Sequence, residues 1–377
     1  MKILYITTIG DTLNFFSDFI QQLISHGHEI YLAANENSGE TPIPEYYKKW
    51  GCRVYNLSCS RNLFKYGNIK AVKEIKKIVS ENKFDIVHCH TPIASVCTRI
   101  ACRKIRKNGT KLIYTAHGFH FYKGSDIKNW FTFLPVEWLC SFMTDILITI
   151  NTEDYNFAKK HFHSKQIAYV PGVGIDLKKF SVSVSDSTES QKSKIRNEFD
   201  IPDDAFLLLS VGELNENKNH SRVIQAIKDL KIYYIIAGKG EKEFELKNLI
   251  RNLNAENRVK LAGFRTDITD FYSAADALIL PSIREGLNVS LMEAMACGLP
   301  CLAGKIRGNT DLIDDNYGGY LFNPKSIEEI KSSIENLIEK FQHNHDSIKK
   351  FGQHNSEKIR LFSTEIVNET VENLYLD

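Results

Sequence analysis

The sequence predicts an α/β protein built as two successive doubly wound halves, each around a parallel sheet. Three observations carry this. Short apolar runs rich in β-branched residues alternate with longer amphipathic stretches from the first residue onward. The alternation breaks once, after Pro171, and then restarts. A chain of 377 residues with 43% hydrophobic content suits two cores better than one, and 25% charged residues leave disorder without support.

In order, the first half carries predicted strands at Lys2–Thr7, Glu29–Ala33, Ile86–His90, Lys111–Thr115, Ile146–Ile150 and Ile167–Val170. Helical patterns such as Phe15–His26 and Asn68–Glu81 lie between them. The polar, Ser-rich stretch Ser181–Ser193 reads as an exposed loop near a domain boundary. The second half restarts with Phe206–Val211, Ile232–Ala237, Val259–Ala262, Ala277–Leu280 and Pro300–Ala303. The boundaries that follow are 1–171 and 172–361, with a terminal segment at about 362–377.

The net charge of +2 conceals a division. Residues 1–171 hold 22 Lys+Arg against 14 Asp+Glu, a net of +8, and the remainder holds 26 against 32, a net of −6. This is either ordinary scatter or a basic half that meets an anionic surface. Lys70, Lys73, Lys76 and Lys77 share one helical stretch, and Arg99, Arg103 and Arg106 fall near one face of another, with Lys104 and Lys107 beside them. Such helices can lie on anionic lipid, or can face a core with a solvated basic back. The eight cysteines form no C-x-x-C pair and read as buried free thiols of a reducing compartment. No apolar run reaches the length of a membrane span or a signal-peptide core, so the expectation is a cytoplasmic chain, at most peripheral to a membrane. Nothing points to nucleic acid.

Ligands of doubly wound sheets bind beyond the carboxyl ends of the strands, so motifs directly after strands matter most. Thr8-Ile9-Gly10, Ala116-His117-Gly118-Phe119-His120, Gly212-Glu213-Leu214 and Pro281-Ser282 leading to Glu285 sit there. The strongest is Glu285-Gly286-Leu287-Asn288-Val289-Ser290-Leu291-Met292-Glu293. Gly286 permits a tight turn before a helix that begins near Leu287 or Asn288. The helix start offers free amides and a positive dipole end to an anion. Glu285 can accept hydrogen bonds from sugar hydroxyls, and Glu293 can hold a ribose through both its hydroxyls. Two unrelated surface glutamates would share this spacing. The continuation Ala294-Met295-Ala296-Cys297-Gly298-Leu299-Pro300 argues against that coincidence.

The stretch 281–301 resembles the signature of retaining glycosyltransferase family 4, whose fold is GT-B: two facing Rossmann-like domains around a cleft. Val170-Pro171-Gly172-Val173-Gly174-Ile175-Asp176 resembles that family's inter-domain segment, and 211–220 its diphosphate loop. His117-Gly118-Phe119-His120 with Lys123-Gly124 resembles a subgroup of bacterial capsule and exopolysaccharide assembly. The resemblance implies roles by position. Lys218 matches a diphosphate-clamping lysine, Glu285 a glutamate at the donor sugar, and Glu293 one at the ribose. Gly286, Leu287 and Asn288 match the turn at phosphate and sugar. Gly263 and Arg265 lie in a loop matching the one beside the base. His117 matches a histidine near the reacting centre, and Gly10 is the remnant of a glycine-rich first loop.

Two departures stand out. Glu213 occupies the place of a second cationic clamp, so Lys218, with Arg265 as a second candidate, must carry the charge. The first loop keeps only Gly10. No D-x-D pair occurs, so neither metal nor other cofactor is expected, and leaving-group charge falls to Lys218, helix-start amides and Arg265. The resemblance further implies an acceptor-binding first domain onto which the terminal segment packs back, and a nucleotide-binding second domain. It implies a nucleotide-diphosphate donor, with a UDP-N-acetylhexosamine as first choice, and a lipid-linked saccharide acceptor. A nucleotide-sugar epimerase on the same fold, or a non-catalytic partner subunit, are the rival readings.

Overall fold

The structure is a computed structural model that describes residues 1–36, 42–62, 65–180 and 189–376. The chain divides into two compact units, Met1–Val173 with Val367–Asp377, and Gly174–Ile366. Each is a doubly wound parallel α/β unit of the Rossmann type.

The first unit's sheet contains β1 (Lys2–Ile9), β2 (Glu29–Asn35), β3 (Arg53–Asn56), β4 (Ile86–His90), β5 (Lys111–Ala116), β6 (Ile146–Thr149) and β7 (Gln166–Tyr169). Their order is β3-β2-β1-β4-β5-β6-β7, all parallel. The order reverses between β1 and β4, which opens a crevice at their carboxyl ends. Both faces are covered, so the central strands are buried throughout: β4 and β6 expose no residue. The terminal helix Thr364–Leu376 contributes Val367, Val371, Leu374 and Tyr375 to the core against β1 and β2.

The second unit's sheet contains β8 (Leu207–Val211), β9 (Tyr233–Ala237), β10 (Val259–Gly263), β11 (Ala277–Leu280), β12 (Cys301–Gly304) and β13 (Gly319–Phe322), in the order β10-β9-β8-β11-β12-β13. Here the switch lies between β8 and β11.

Two strands escaped the sequence reading. Arg53–Asn56 and Gly319–Phe322 are four-residue edge strands, the first half-exposed, and both are too short for a period-2 signal. The predicted helix Phe15–His26 splits into a 3₁₀ segment, Gly10–Phe16, and a helix, Ser17–Ser25. The predicted loop Ser181–Ser193 falls mostly outside the described residues, and from Glu189 onward the chain is helical, Glu189–Glu198.

One electrostatic expectation is corrected. Arg99 does not join a solvated basic face: it is 1% exposed, pairs with Glu137 at 2.8 Å and lies 4.3 Å from the Tyr114 ring centroid. Arg106 is turned onto Asp145 at 2.7 Å. Only Arg103, Lys104 and Lys107 of that group are exposed. A helical wheel cannot tell that a neighbouring helix supplies a buried carboxylate. Lys70, Lys73, Lys76 and Lys77 are solvent-exposed as the pattern required. All eight cysteines are buried and free. Among the described residues no helix is long and apolar enough to cross a membrane.

Candidate functional site

The second unit gathers most of the singled-out residues at the carboxyl ends of its strands. β8 ends at Val211, and Gly212 and Gly238 follow β8 and β9 in close approach. A Cβ on Gly238 would overlap the carbonyl oxygen of Gly212, so glycine is required there. This leaves a cavity of about 800 Å³ lined by Gly212, Glu213, Gly238, Arg265 and Glu293 among others.

Two loops are clamped beside it. Asn219, in a left-handed conformation at φ 58°, donates its side-chain amide to the carbonyls of Pro281 (3.0 Å) and Pro324 (2.8 Å). Asn217 donates to the Arg284 carbonyl at 2.9 Å, and the Ile283 amide donates back to the Asn217 carbonyl at 2.9 Å. These ties bring Lys218 Nζ to 2.7 Å from Glu285 Oε1, with both side chains largely buried at 15% and 13% exposure. A lysine and a glutamate that are 67 residues apart in sequence thus form one unit.

The turn Glu285–Asn288 is braced from behind. Buried Arg307 donates to the Glu285 carbonyl at 3.1 Å, and Gly308, at φ 77°, packs so closely that a Cβ would overlap the Gly286 carbonyl. Asn288 caps the helix Val289–Ala296, its Oδ1 accepting the Leu291 amide at 3.0 Å. Leu287 packs against the core behind the turn. Glu293 sits one turn into the helix, where Tyr272 Oη donates to its Oε2 at 2.7 Å. Burial pushes the Glu293 carboxyl above its ordinary range, against the Tyr272 hydrogen bond, which lowers it.

Arg265 borders the cavity, but its guanidinium is held by two carboxylates, Asp267 at 2.7 Å and Glu198 at 2.5 Å. These push its pKa up and neutralise its charge locally. Gly263 ends β10 at φ 69°, and its carbonyl accepts the Gly238 amide at 2.8 Å. Its role here is to hold the β9 turn. Glu213 lines the cavity and accepts from Asn215 at 2.9 Å.

His117 and Gly10 belong to the first unit. Gly10 follows β1, and a Cβ there would overlap the Pro42 carbonyl and the Ile43 amide, so packing alone demands glycine. His117 Nε2 lies 3.1 Å from His90 Nδ1 at the ends of β5 and β4. His88 joins Tyr375 Oη at 2.6 Å and Thr115 Oγ1 at 2.8 Å. Burial lowers all three imidazoles, His117 to about 4 and His88 to about 3, so they are neutral at neutral pH. Sequence reading missed His90, Asn219, Tyr272 and Arg307. His90, the last residue of a strand and 27 residues before His117, had the placement to be noticed. Arg307 and Tyr272 act from distant elements and carry no local signal.

Comparison with known proteins agrees with this arrangement. Residues 2–151 match the family described as glycosyl transferase 4-like, and residues 191–354 match glycosyl transferases group 1. A Bacillus subtilis protein named as a glycosyltransferase, EpsD, is 32% identical over 99% of this chain and 96% of its own length. An Escherichia coli enzyme, UDP-Gal:alpha-D-GlcNAc-diphosphoundecaprenol alpha-1,3-galactosyltransferase, is 28% identical over 79% of this chain and 76% of its own. The crystal structure of Anabaena HepE in complex with UDP superimposes with a TM-score of 0.81 at 20% identity, covering 99% of each chain. The paired loops, the buried glutamate and a match that spans both units lead to one conclusion: the chain belongs to the group 1 and type 4 glycosyltransferases and has their GT-B fold.

Proposed function

We propose that the protein is a retaining glycosyltransferase that moves a sugar from a UDP-sugar, an N-acetylhexosamine in the first instance, to an undecaprenyl-diphosphate-linked saccharide. The setting is exopolysaccharide, capsule or O-antigen assembly at the cytoplasmic face of a membrane. The observation that carries this reading is the Lys218–Glu285 pair beside a cavity that ends on Glu293. The UDP bound by HepE and the diphosphoundecaprenol acceptor named for the Escherichia coli relative support it.

In this reading the pair is the resting form of the site. Lys218 holds Glu285 until a diphosphate arrives, then turns its ammonium to the phosphate oxygens and frees Glu285 for the sugar hydroxyls. The amides of Val289 and Ser290, which have no intrahelical carbonyl to donate to, help to offset the negative charge that develops on the leaving group. Glu293, aligned by Tyr272, takes the ribose. The bond from the anomeric carbon to the diphosphate breaks, and the acceptor oxygen bonds to that carbon on the same face. The acceptor's proton passes to the departing phosphate, so the protein supplies no general base. His117, kept neutral by burial, is a hydrogen-bonding group of the first unit at the end of β5. Arg265 is left to hold the wall of the base pocket through Glu198 and Asp267.

The test is a screen of UDP-sugars against lipid-linked acceptors, with product mass and anomeric configuration measured. A product of donor plus acceptor mass with the donor's configuration retained is expected. Isomerised donor in the absence of acceptor would make the protein an epimerase, and no UDP binding would make it a non-catalytic subunit.

A further inference from the structure

The helix Ile127–Ser141 of the first unit is built inside out. At about 100° per residue, Ile127, Phe131, Pro135, Trp138, Leu139 and Phe142 just beyond its end fall within an arc of about 120°. All six face solvent: Ile127 is 68% exposed, Phe131 76%, Trp138 41%, Leu139 57% and Phe142 52%, and Pro135 is likewise exposed. The one carboxylate of the helix, Glu137, points the other way, buried against Arg99 and accepting from Tyr114 at 3.3 Å. Trp130, Phe133 and Leu134 pack on the core from the same inner side. Solvation alone would favour the opposite arrangement, and apolar stripes of this size on soluble proteins mark contact surfaces.

We propose that this face docks the protein on a lipid surface by apolar insertion. The inference rests on the membrane part of the proposed function and not on its donor chemistry. Its occupant is read from the rim. The Arg106 guanidinium donates to the Phe142 carbonyl at 3.0 Å, which ties the turn bearing exposed Arg103, Lys104 and Lys107 to the end of the stripe. Lys128 stands on the stripe's edge. Lys159 and Lys160 end the helix Thr152–His161, which contacts this one through Phe157 and Trp130, ring centroids 5.8 Å apart. Asp126 at the helix start opposes them. An apolar centre within a cationic border fits an anionic bilayer, with the rings at headgroup depth. A twofold contact with a second copy would instead bring two cationic rims together. The stripe is about 24 Å long, and lying flat it would sink about 5–10 Å into the acyl boundary.

The experiment is co-sedimentation of the full chain with phosphatidylglycerol-containing and pure phosphatidylcholine vesicles across a salt series, without donor or acceptor. Phe131→Ser/Leu139→Ser is compared with Lys104→Glu/Lys107→Glu. Exposed positions let both variants fold, which an unchanged unfolding temperature checks. Expected is binding that prefers anionic vesicles yet largely persists at about 0.5 M salt, where exposed charges are screened within a few ångström. The apolar double variant should bind about tenfold or more weakly at every salt concentration. Brominated lipid should quench tryptophan emission in the native chain and much less in Trp138→Phe. Binding that vanishes with salt, or is unchanged in the apolar variant, overturns the proposal. So does a dimer that the apolar variant dissociates without any vesicle binding. UDP affinity, read by calorimetry on the same samples, tests the donor site separately.

Discussion

Replacing Glu293 separates its role in the ligand site from its role in the fold. In the free protein its carboxylate accepts a hydrogen bond from Tyr272 at 2.7 Å, and burial disfavours its charge. Glu293→Ala removes that partner, but Tyr272 keeps the Ser290 carbonyl at 3.3 Å, so a stability loss of no more than about 1–2 kcal/mol is expected. In the bound state the same carboxylate is assigned both ribose hydroxyls. Losing two charge-assisted bonds costs about 2–4 kcal/mol, a weakening of UDP binding by about 30- to 1000-fold. Glu293→Gln keeps an acceptor for Tyr272 and loses only charge, so it should fall between native and Ala. The pH behaviour has a defined sign. The folded carboxyl is raised above its unfolded value of 4.5, so it penalises folding once pH exceeds the folded value and not below the unfolded one. Glu293→Gln should therefore be at least as stable as the native chain at neutral pH, with the difference fading toward and below pH 4.5. Calorimetric titration with UDP and thermal melts at neutral and acidic pH are the assays. A folded Glu293→Ala with UDP affinity within about threefold of native would refute the ribose assignment.

Lys218→Ala should lower kcat by about 10²–10³, the scale for one lost charge-stabilising donor, in steady-state transfer. Turnover should persist in excess EDTA with demetallated enzyme, because Lys218 and helix-start amides are assigned the leaving-group charge; loss restored by magnesium or manganese would place that charge on a metal. Arg99→Ala leaves the buried Glu137 without its counter-charge, so denaturant unfolding should show a loss of about 3–5 kcal/mol even though no catalytic group is touched. The pH profile of kcat/KM should lack a limb near 6.5 from His117, whose neutral form is held down to about pH 4; a limb near 6.5 that disappears in His117→Asn would contradict its burial.

The sequence by itself determined the two-sheet architecture, because parallel strands buried on both faces leave near-continuous apolar runs that alternate with helical periods. It also located the turn Glu285–Asn288 and the helix carrying Glu293, because glycine, a capping asparagine and helical spacing are local signals. The edge strands Arg53–Asn56 and Gly319–Phe322 were too short to register. Pairings across long separations had no local trace. Lys218 with Glu285, Tyr272 with Glu293 and Arg307 behind the turn exist only because β8 and β11 are neighbours or because distant elements fold onto the same strand ends. Charge was the least legible property, since its meaning depends on what lies within a few ångström. Arg265 looked available for a diphosphate and is held by Glu198 and Asp267, and Arg99 looked solvated and is buried on Glu137. The helix Ile127–Ser141 shows the same limit from the other side: only the tertiary structure, by turning Glu137 inward, decided that its aromatic face meets the outside.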